Sequence, residues 1–240
     1  MRIRFFLLFI LFVSLCTAEN ADFNECVVLL HGIGDTKFSM LKLENDLKDA
    51  GYKTINVGYP ANGKKIETIA NDELAAAIEK CSDYRKIHIV SHSMGGLVIR
   101  YYLNEHNLPE GSRIVMLSPP NKGSEVADYF HDSKIYELFY GEAGKELETD
   151  SDFFKNLKPI INQVGIIAGS SSMNPFFSRL LPGKDDGRVA VENMKLEEMD
   201  DFIVISTTHL LMKYNRQVSK QTIYFLKFGK FSTDEEKTNE

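Results

Sequence analysis

Ser93 stands in the run Ser91-His92-Ser93-Met94-Gly95-Gly96. A β-branched stretch, Ile87-His88-Ile89-Val90, precedes it, and an apolar helical pattern follows at once. A strand that turns straight into a helix holds its central residue in a strained conformation and pushes that side chain outward. Two positions to either side, strand and helix nearly touch, and the small residues Ser91 and Gly95 meet that need. A serine hydroxyl displayed beside the first amides of a helix can attack a carbonyl while those amides stabilise the oxyanion. The alternative is a serine that only caps a helix, a position the residue favours.

A hydroxyl nucleophile needs a base, and the base needs an acid to orient it. Where the nucleophile sits on a strand–turn–helix bend, the chain order is serine, acid, histidine. The chain has six histidines. His31, His88 and His92 precede Ser93, His106 lies near the far end of the helix that starts there, and His131 falls in a long interruption. His209, after a predicted strand and the loop Ser206-Thr207-Thr208, is the expected base. The acid should leave the loop before that strand, where Gly183-Lys184-Asp185-Asp186-Gly187 offers two aspartates. Asp186 abuts the glycine and is preferred, with Asp185 as the alternative. The oxyanion hole needs two backbone N–H groups: Met94, directly after the nucleophile, and Ile33, in a turn where Gly32 lets the backbone approach closely.

The elements that must position these groups read as strands at 26–30, 53–57, 87–90, 113–117, 164–168 and 202–205. Helical spacing of apolar residues marks 38–50, 66–80 and 94–104, and a final helix opens at His209 and runs to 228. Strands alternating with helices at short spacing indicate a doubly wound, mainly parallel α/β sheet of about six strands. Parallel strands carry their C-terminal ends to one edge, so Ser93 and His209 should meet there. The longest interruption, residues 119–161, holds Tyr129, Phe130, Tyr136, Phe139, Tyr140, Phe153 and Phe154. Its aromatics suggest an insertion that covers the serine as a lid or wall. Phe139 and Phe153, with Phe176 and Phe177 across the site, are expected to contact an acyl chain.

The 240 residues suffice for one sizeable domain, residues 19–240, with a frayed polar tail at 230–240. Residues 1–18 read as a secretory leader: Arg2 and Arg4, an apolar run at 5–13, then small residues up to Ala18. The expected address is exported, periplasmic or secreted. After leader removal Cys26 and Cys81 remain, an even count that suggests one disulfide in an oxidising compartment. Their spacing is not that of a metal site, and no metal or cofactor is expected. A net charge of −6 with scattered basic residues argues against nucleic acid as a partner. Gly32-Ile33-Gly34 matches part of a dinucleotide loop, but Lys37 occupies the third glycine position and no acid ends the second strand.

Val28-Leu29-Leu30-His31-Gly32-Ile33-Gly34, together with Ser91-His92-Ser93-Met94-Gly95-Gly96, resembles the α/β-hydrolase superfamily, in particular small secreted bacterial lipases, esterases and lipase-like proteins. Asp186-Gly187-Arg188-Val189 resembles the segment that carries the acid there, and Pro120-Asn121-Lys122-Gly123-Ser124 also resembles a loop of these proteins. The resemblance implies Ser93, Asp186 and His209 as a triad, with Ile33 and Met94 as oxyanion donors. Ser91 departs from the family's usual glycine. The resemblance also makes the first and third strands neighbours, with Cys26 and Cys81 at the edge away from the site. The implied activity is hydrolysis of carboxylic esters through an acyl-serine, on a small-molecule or lipid ester, with transient contact to a lipid surface. An acyltransferase or an amidase would use the same triad, and a hydrolase fold can also serve as a non-catalytic binding module.

Overall fold

The computed structural model describes residues 24–233, apart from the side chains of residues 135–139. The predicted leader, residues 234–240 of the predicted tail and the Phe139 side chain lie outside the described residues. Six strands form one sheet: β1 (Glu25–Leu30), β2 (Lys53–Val57), β3 (Lys86–His92), β4 (Arg113–Leu117), β5 (Gln163–Gly169) and β6 (Asp201–Ile205). Their order is β2-β1-β3-β4-β5-β6, and every pairing is parallel. The order reverses between β1 and β3, the place where sheets of this kind open a crevice for ligands.

Alternation along each strand divides the apolar residues between two cores. Val28 and Leu30, Ile87 and Ile89, and Ile114 and Met116 face one side. Val27 and Leu29, Val90, Val115 and Leu117 face the other. The first core is closed by Ile66, Ile69 and Leu74 and by Leu97, Val98 and Ile99 of the helix Gly95–Tyr102. The second is closed by Leu43 and Leu47 of the helix Leu41–Asp49 and by Val218, Phe225 and Leu226 of the helix Arg216–Phe228.

Three expectations need correction. The predicted helix at 38–50 is a 3₁₀ turn, Lys37–Met40, followed by an α-helix, Leu41–Asp49. The segment predicted at 66–80 carries a π turn, Ile69–Leu74, between two short α pieces. The final helix begins at Arg216 rather than His209, because the Asn215 side chain accepts the N–H groups of Gln217 (2.8 Å) and Val218 (3.3 Å) and fixes the start there. His209 therefore lies in a loop.

The interruption at 119–161 is itself helical, with Glu125–Phe130, Lys134–Lys145 and Asp152–Lys155. Ser124 and Ser151 cap the first and last of these through their hydroxyls. Cys26 and Cys81 form a disulfide with a Cα–Cα distance of 5.9 Å. It ties the start of β1 to the segment ahead of β3, at the sheet end opposite Ser93. Among the described residues no helix is long and apolar enough to cross a membrane.

Candidate active site

Ser93 follows the last residue of β3 with φ 54, a left-handed conformation that serine rarely adopts. Its N–H donates to the Leu117 carbonyl at 2.9 Å, which anchors the bend to β4. The predicted need for small residues is met tightly. A Cβ on Gly95 would lie 3.0 Å from both the Leu30 Cβ and the His31 carbonyl oxygen. A Cβ on Gly32 would lie 2.9 Å from the Ser93 Cβ, so the first loop passes directly over Ser93. Ser91 is wholly buried, and its hydroxyl has no partner among the described residues.

His209 and Asp186 are joined twice. The His209 Nδ1–H donates to Asp186 Oδ2 at 2.7 Å, and the His209 backbone N–H donates to the Asp186 carbonyl at 2.9 Å. Asp186 Oδ1 accepts the N–H groups of Arg188 (3.0 Å) and Val189 (2.9 Å). Burial alone pushes this carboxyl up, but the His209 charge and hydrogen bond, the Ser118 hydroxyl and the Val189 N–H together hold it below the usual carboxylate range. Asp185 instead closes the turn, where its Oδ1 accepts the Gly187 N–H (2.7 Å) and the Ser178 hydroxyl (3.0 Å). Of the two aspartates, Asp186 is the one bonded to His209.

The amides around the bend sort themselves. The Gly34 N–H donates to Asn62 Oδ1 (2.9 Å), the Asp35 N–H to the Gly32 carbonyl (3.3 Å) and the Gly96 N–H to the Ser93 carbonyl (2.9 Å). The N–H groups of Ile33 and Met94 have no acceptor among the described residues. Ile33 also lines a cavity of about 370 Å³ that Ser93 and His209 open onto. No hydrogen bond closes between the Ser93 hydroxyl and the His209 ring among the described residues. Free enzymes often leave such a bond long until substrate arrives.

Residues of the interruption form much of the cavity wall, among them Val126, Ala127, Phe130 and Leu147. Phe177 stands on the same wall. Two expected acyl contacts lie elsewhere. Phe153 stacks on Tyr101, with ring centroids 6.2 Å apart, and packs against the first core. Phe176 is 47% exposed and meets the edge of Tyr129. Adjacent residues of a helix point about 100° apart, so Phe176 and Phe177, neighbours in the helix Pro175–Leu180, face different surroundings.

Three residues gain roles that chain order alone did not assign. His92 is buried, and burial holds its imidazole well below the ordinary value, so the ring is neutral. Its Nε2–H donates to the His209 carbonyl at 2.9 Å, fixing the backbone of the expected base. Ser118 directly follows β4 with φ 46, and its hydroxyl accepts the Gly169 N–H at 3.2 Å besides supporting Asp186. Lys213 is buried and paired with Asp35, whose carboxylate also lies 4.0 Å from His92 Nδ1. A serine just past a strand and a histidine beside Ser93 carry no distinguishing pattern in one sequence. Among the described residues no group of three or more His, Cys, Asp or Glu converges to hold a metal ion.

Known structures share this architecture. The lipase BlEst2 of Bacillus licheniformis, in its mature form, superposes with a TM-score of 0.65 over 85% of this chain and 91% of its own, at 18% identity. Phospholipase PlaB of Legionella pneumophila gives 0.55 over 71% and 45%, at 19% identity. A monoacylglycerol lipase of Paleococcus ferrophilus gives 0.53 over 84% and 93%, at 18% identity. At these identities the likeness is one of fold. No curated protein shows significant sequence similarity to the chain. The sequence model of the alpha/beta hydrolase fold matches residues 25–152, from the first strand through the bend at Ser93 into the interruption, and the chain belongs to that family.

Proposed function

We propose that the protein is a serine hydrolase that cleaves carboxylic esters through an acyl-serine intermediate. The observation that carries this reading is the strained Ser93 opening, together with an Asp186-bonded His209, onto a mainly apolar cavity. The Ser93 hydroxyl attacks the ester carbonyl and passes its proton to His209 Nε2. Asp186 holds the ring in the tautomer that leaves Nε2 free and stabilises the imidazolium that forms. The N–H groups of Ile33 and Met94 receive the oxyanion. His209 then protonates the leaving alcohol. Water, deprotonated by the same nitrogen, attacks the acyl-serine and releases the acid. The apolar wall of Val126, Phe130, Leu147 and Phe177 holds the acyl chain.

The protein acts after export: residues 1–18 are removed, and the Cys26–Cys81 disulfide suits an oxidising compartment. Leu210 and Leu211, more than half exposed beside His209, suit transient contact with a lipid surface. A fluorophosphonate probe tests the central claim. Labelling is expected on Ser93 and nowhere else, with nitrophenyl esters of medium-length acyl chains cleaved faster than acetate. Folded wild-type protein that neither labels nor cleaves any ester of the series would make the fold a binding module.

A further inference from the structure

The cavity at Ser93 is mainly apolar and carries one fixed charge. Arg188 is the single arginine, lysine, aspartate or glutamate among its lining residues. The backbone of Arg188 is pinned on both sides. Its N–H donates to Asp186 Oδ1 at 3.0 Å, and its carbonyl accepts the Ser124 hydroxyl at 2.6 Å. The root of the side chain is therefore fixed beside the acid of the site, at the foot of the apolar wall.

The guanidinium itself is uncommitted. Among the described residues it makes no ion pair or hydrogen bond, and the side chain is half-buried. The two acids next to it in sequence are engaged elsewhere, Asp185 by Gly187 and Ser178, Asp186 by His209. Its charge is nonetheless felt in the site, where it helps to hold the buried His92 ring neutral. A chain with a net charge of −6 thus leaves a cation uncancelled on the wall of its cavity. Partial burial of an unpaired charge is costly, and the planar fork of a guanidinium matches a carboxylate or phosphate in two parallel hydrogen bonds.

We propose that Arg188 determines specificity by receiving an anionic group, phosphate or carboxylate, carried by the ester, while the apolar wall holds the acyl chain. This rests on the ester-hydrolase reading of Ser93. The substrate class is then an amphiphilic anionic ester rather than a neutral one.

Three non-hydrolysable ligands of equal chain length test the claim by titration calorimetry on the wild-type protein: octyl phosphate, octanoate and octanol. At least one anion is expected to bind about tenfold or more tightly than octanol, and the tighter anion identifies the group. Arg188→Gln should lower the anion-to-octanol affinity ratio by about ten- to a hundredfold, and Arg188→Lys should keep part of it. Equal affinity for all three ligands overturns the proposal, as does a preference that survives both Arg188→Gln and Arg188→Glu. Fluorophosphonate labelling reports separately on the hydrolase reading. Labelled Ser93 without anion preference removes only the role of Arg188. Anion preference that depends on Arg188 in a protein that never labels keeps the ligand site and removes the ester hydrolase.

Discussion

Replacing Asp186 by asparagine changes one atom and should nearly abolish ester hydrolysis. Asp186 Oδ1 is held by the N–H groups of Arg188 and Val189, at 3.0 and 2.9 Å. An asparagine keeps both bonds by placing its carbonyl oxygen there. Its NH₂ must then occupy the place of Oδ2, 2.7 Å from His209 Nδ1. A donor now faces a donor, so the ring moves its proton to Nε2 and can no longer accept the Ser93 proton. Loss of tautomer control in such a triad costs about 10⁴-fold in kcat, or about 5 kcal/mol of transition-state stabilisation. Asp185→Asn is the control. Its Oδ1 accepts the Ser178 hydroxyl and the Gly187 N–H, and an amide oxygen can accept both. That variant should stay close to wild type. Initial rates on a nitrophenyl ester at neutral pH, with a urea melt of each variant, decide the matter. If folded Asp186→Asn retained more than about a tenth of the activity, the assignment of His209 and Asp186 would be refuted.

Gly32→Ala places a methyl group 2.9 Å from the Ser93 Cβ and 3.2 Å from His92 Nδ1, so the Ile33 amide must shift. Displacing one oxyanion donor should lower kcat by about 10²-fold, and a Gly32→Ala protein with unchanged kcat would put the oxyanion elsewhere. His92 and His31 are both buried with imidazoles held below their ordinary value, chiefly by burial, although Asp35 faces His31 and opposes the shift there. The unfolded chain therefore binds protons that the fold does not. Stability is fully present above the unfolded value of 6.5 and is lost as the pH falls below it, by up to about 1.4 kcal/mol per pH unit for each ring. Urea melts between pH 7.5 and 5 read this directly, and a flat profile refutes it. Reducing the Cys26–Cys81 disulfide frees a loop of 55 residues and should cost about 4 kcal/mol on the chain-entropy account, read as a lower urea midpoint in reductant.

The sheet was legible because most of its strands are short, largely apolar runs bounded by turn residues. Helix boundaries were less so. Apolar periodicity continues from Leu211 and Met212 into the last helix, and only the Asn215 cap breaks it. The bend at Ser93 announced itself through small residues whose spacing a tight turn requires. Asp186 was preferred to Asp185 only for abutting Gly187, because adjacent aspartates differ chiefly in where the turn points them. His92 was set aside as a base by chain order. Its hold on the His209 carbonyl joins residues 117 positions apart, which a local pattern cannot carry. The aromatics of the interruption divide, Phe130 and Tyr140 lining the cavity and Phe153 packing against the first core, because which face of a short helix meets the cavity depends on packing, not composition.

The strain at Ser93 is held by a device that recurs along the same edge of the sheet. The residue just past β3, Ser93, donates its N–H to the Leu117 carbonyl of β4 at 2.9 Å. The residue just past β4, Ser118, donates to Ile167 of β5 at 2.9 Å, and the residue past β5, Ser170, donates to Ile205 of β6 at 3.1 Å. Each chain leaves the sheet while still tied to the next strand. At the first two exits the backbone turns left-handed, at a cost of order 1–3 kcal/mol each. The interstrand bond makes that turn the one that keeps the N–H satisfied in a buried setting. What the strain produces differs between the two. At Ser93 it lifts a hydroxyl into the cavity mouth. At Ser118 it turns a hydroxyl onto Asp186 and Gly169, steadying the carboxylate bonded to His209. The proposed nucleophile and the support of its proposed acid are thus neighbouring copies of one backbone solution, set one strand apart.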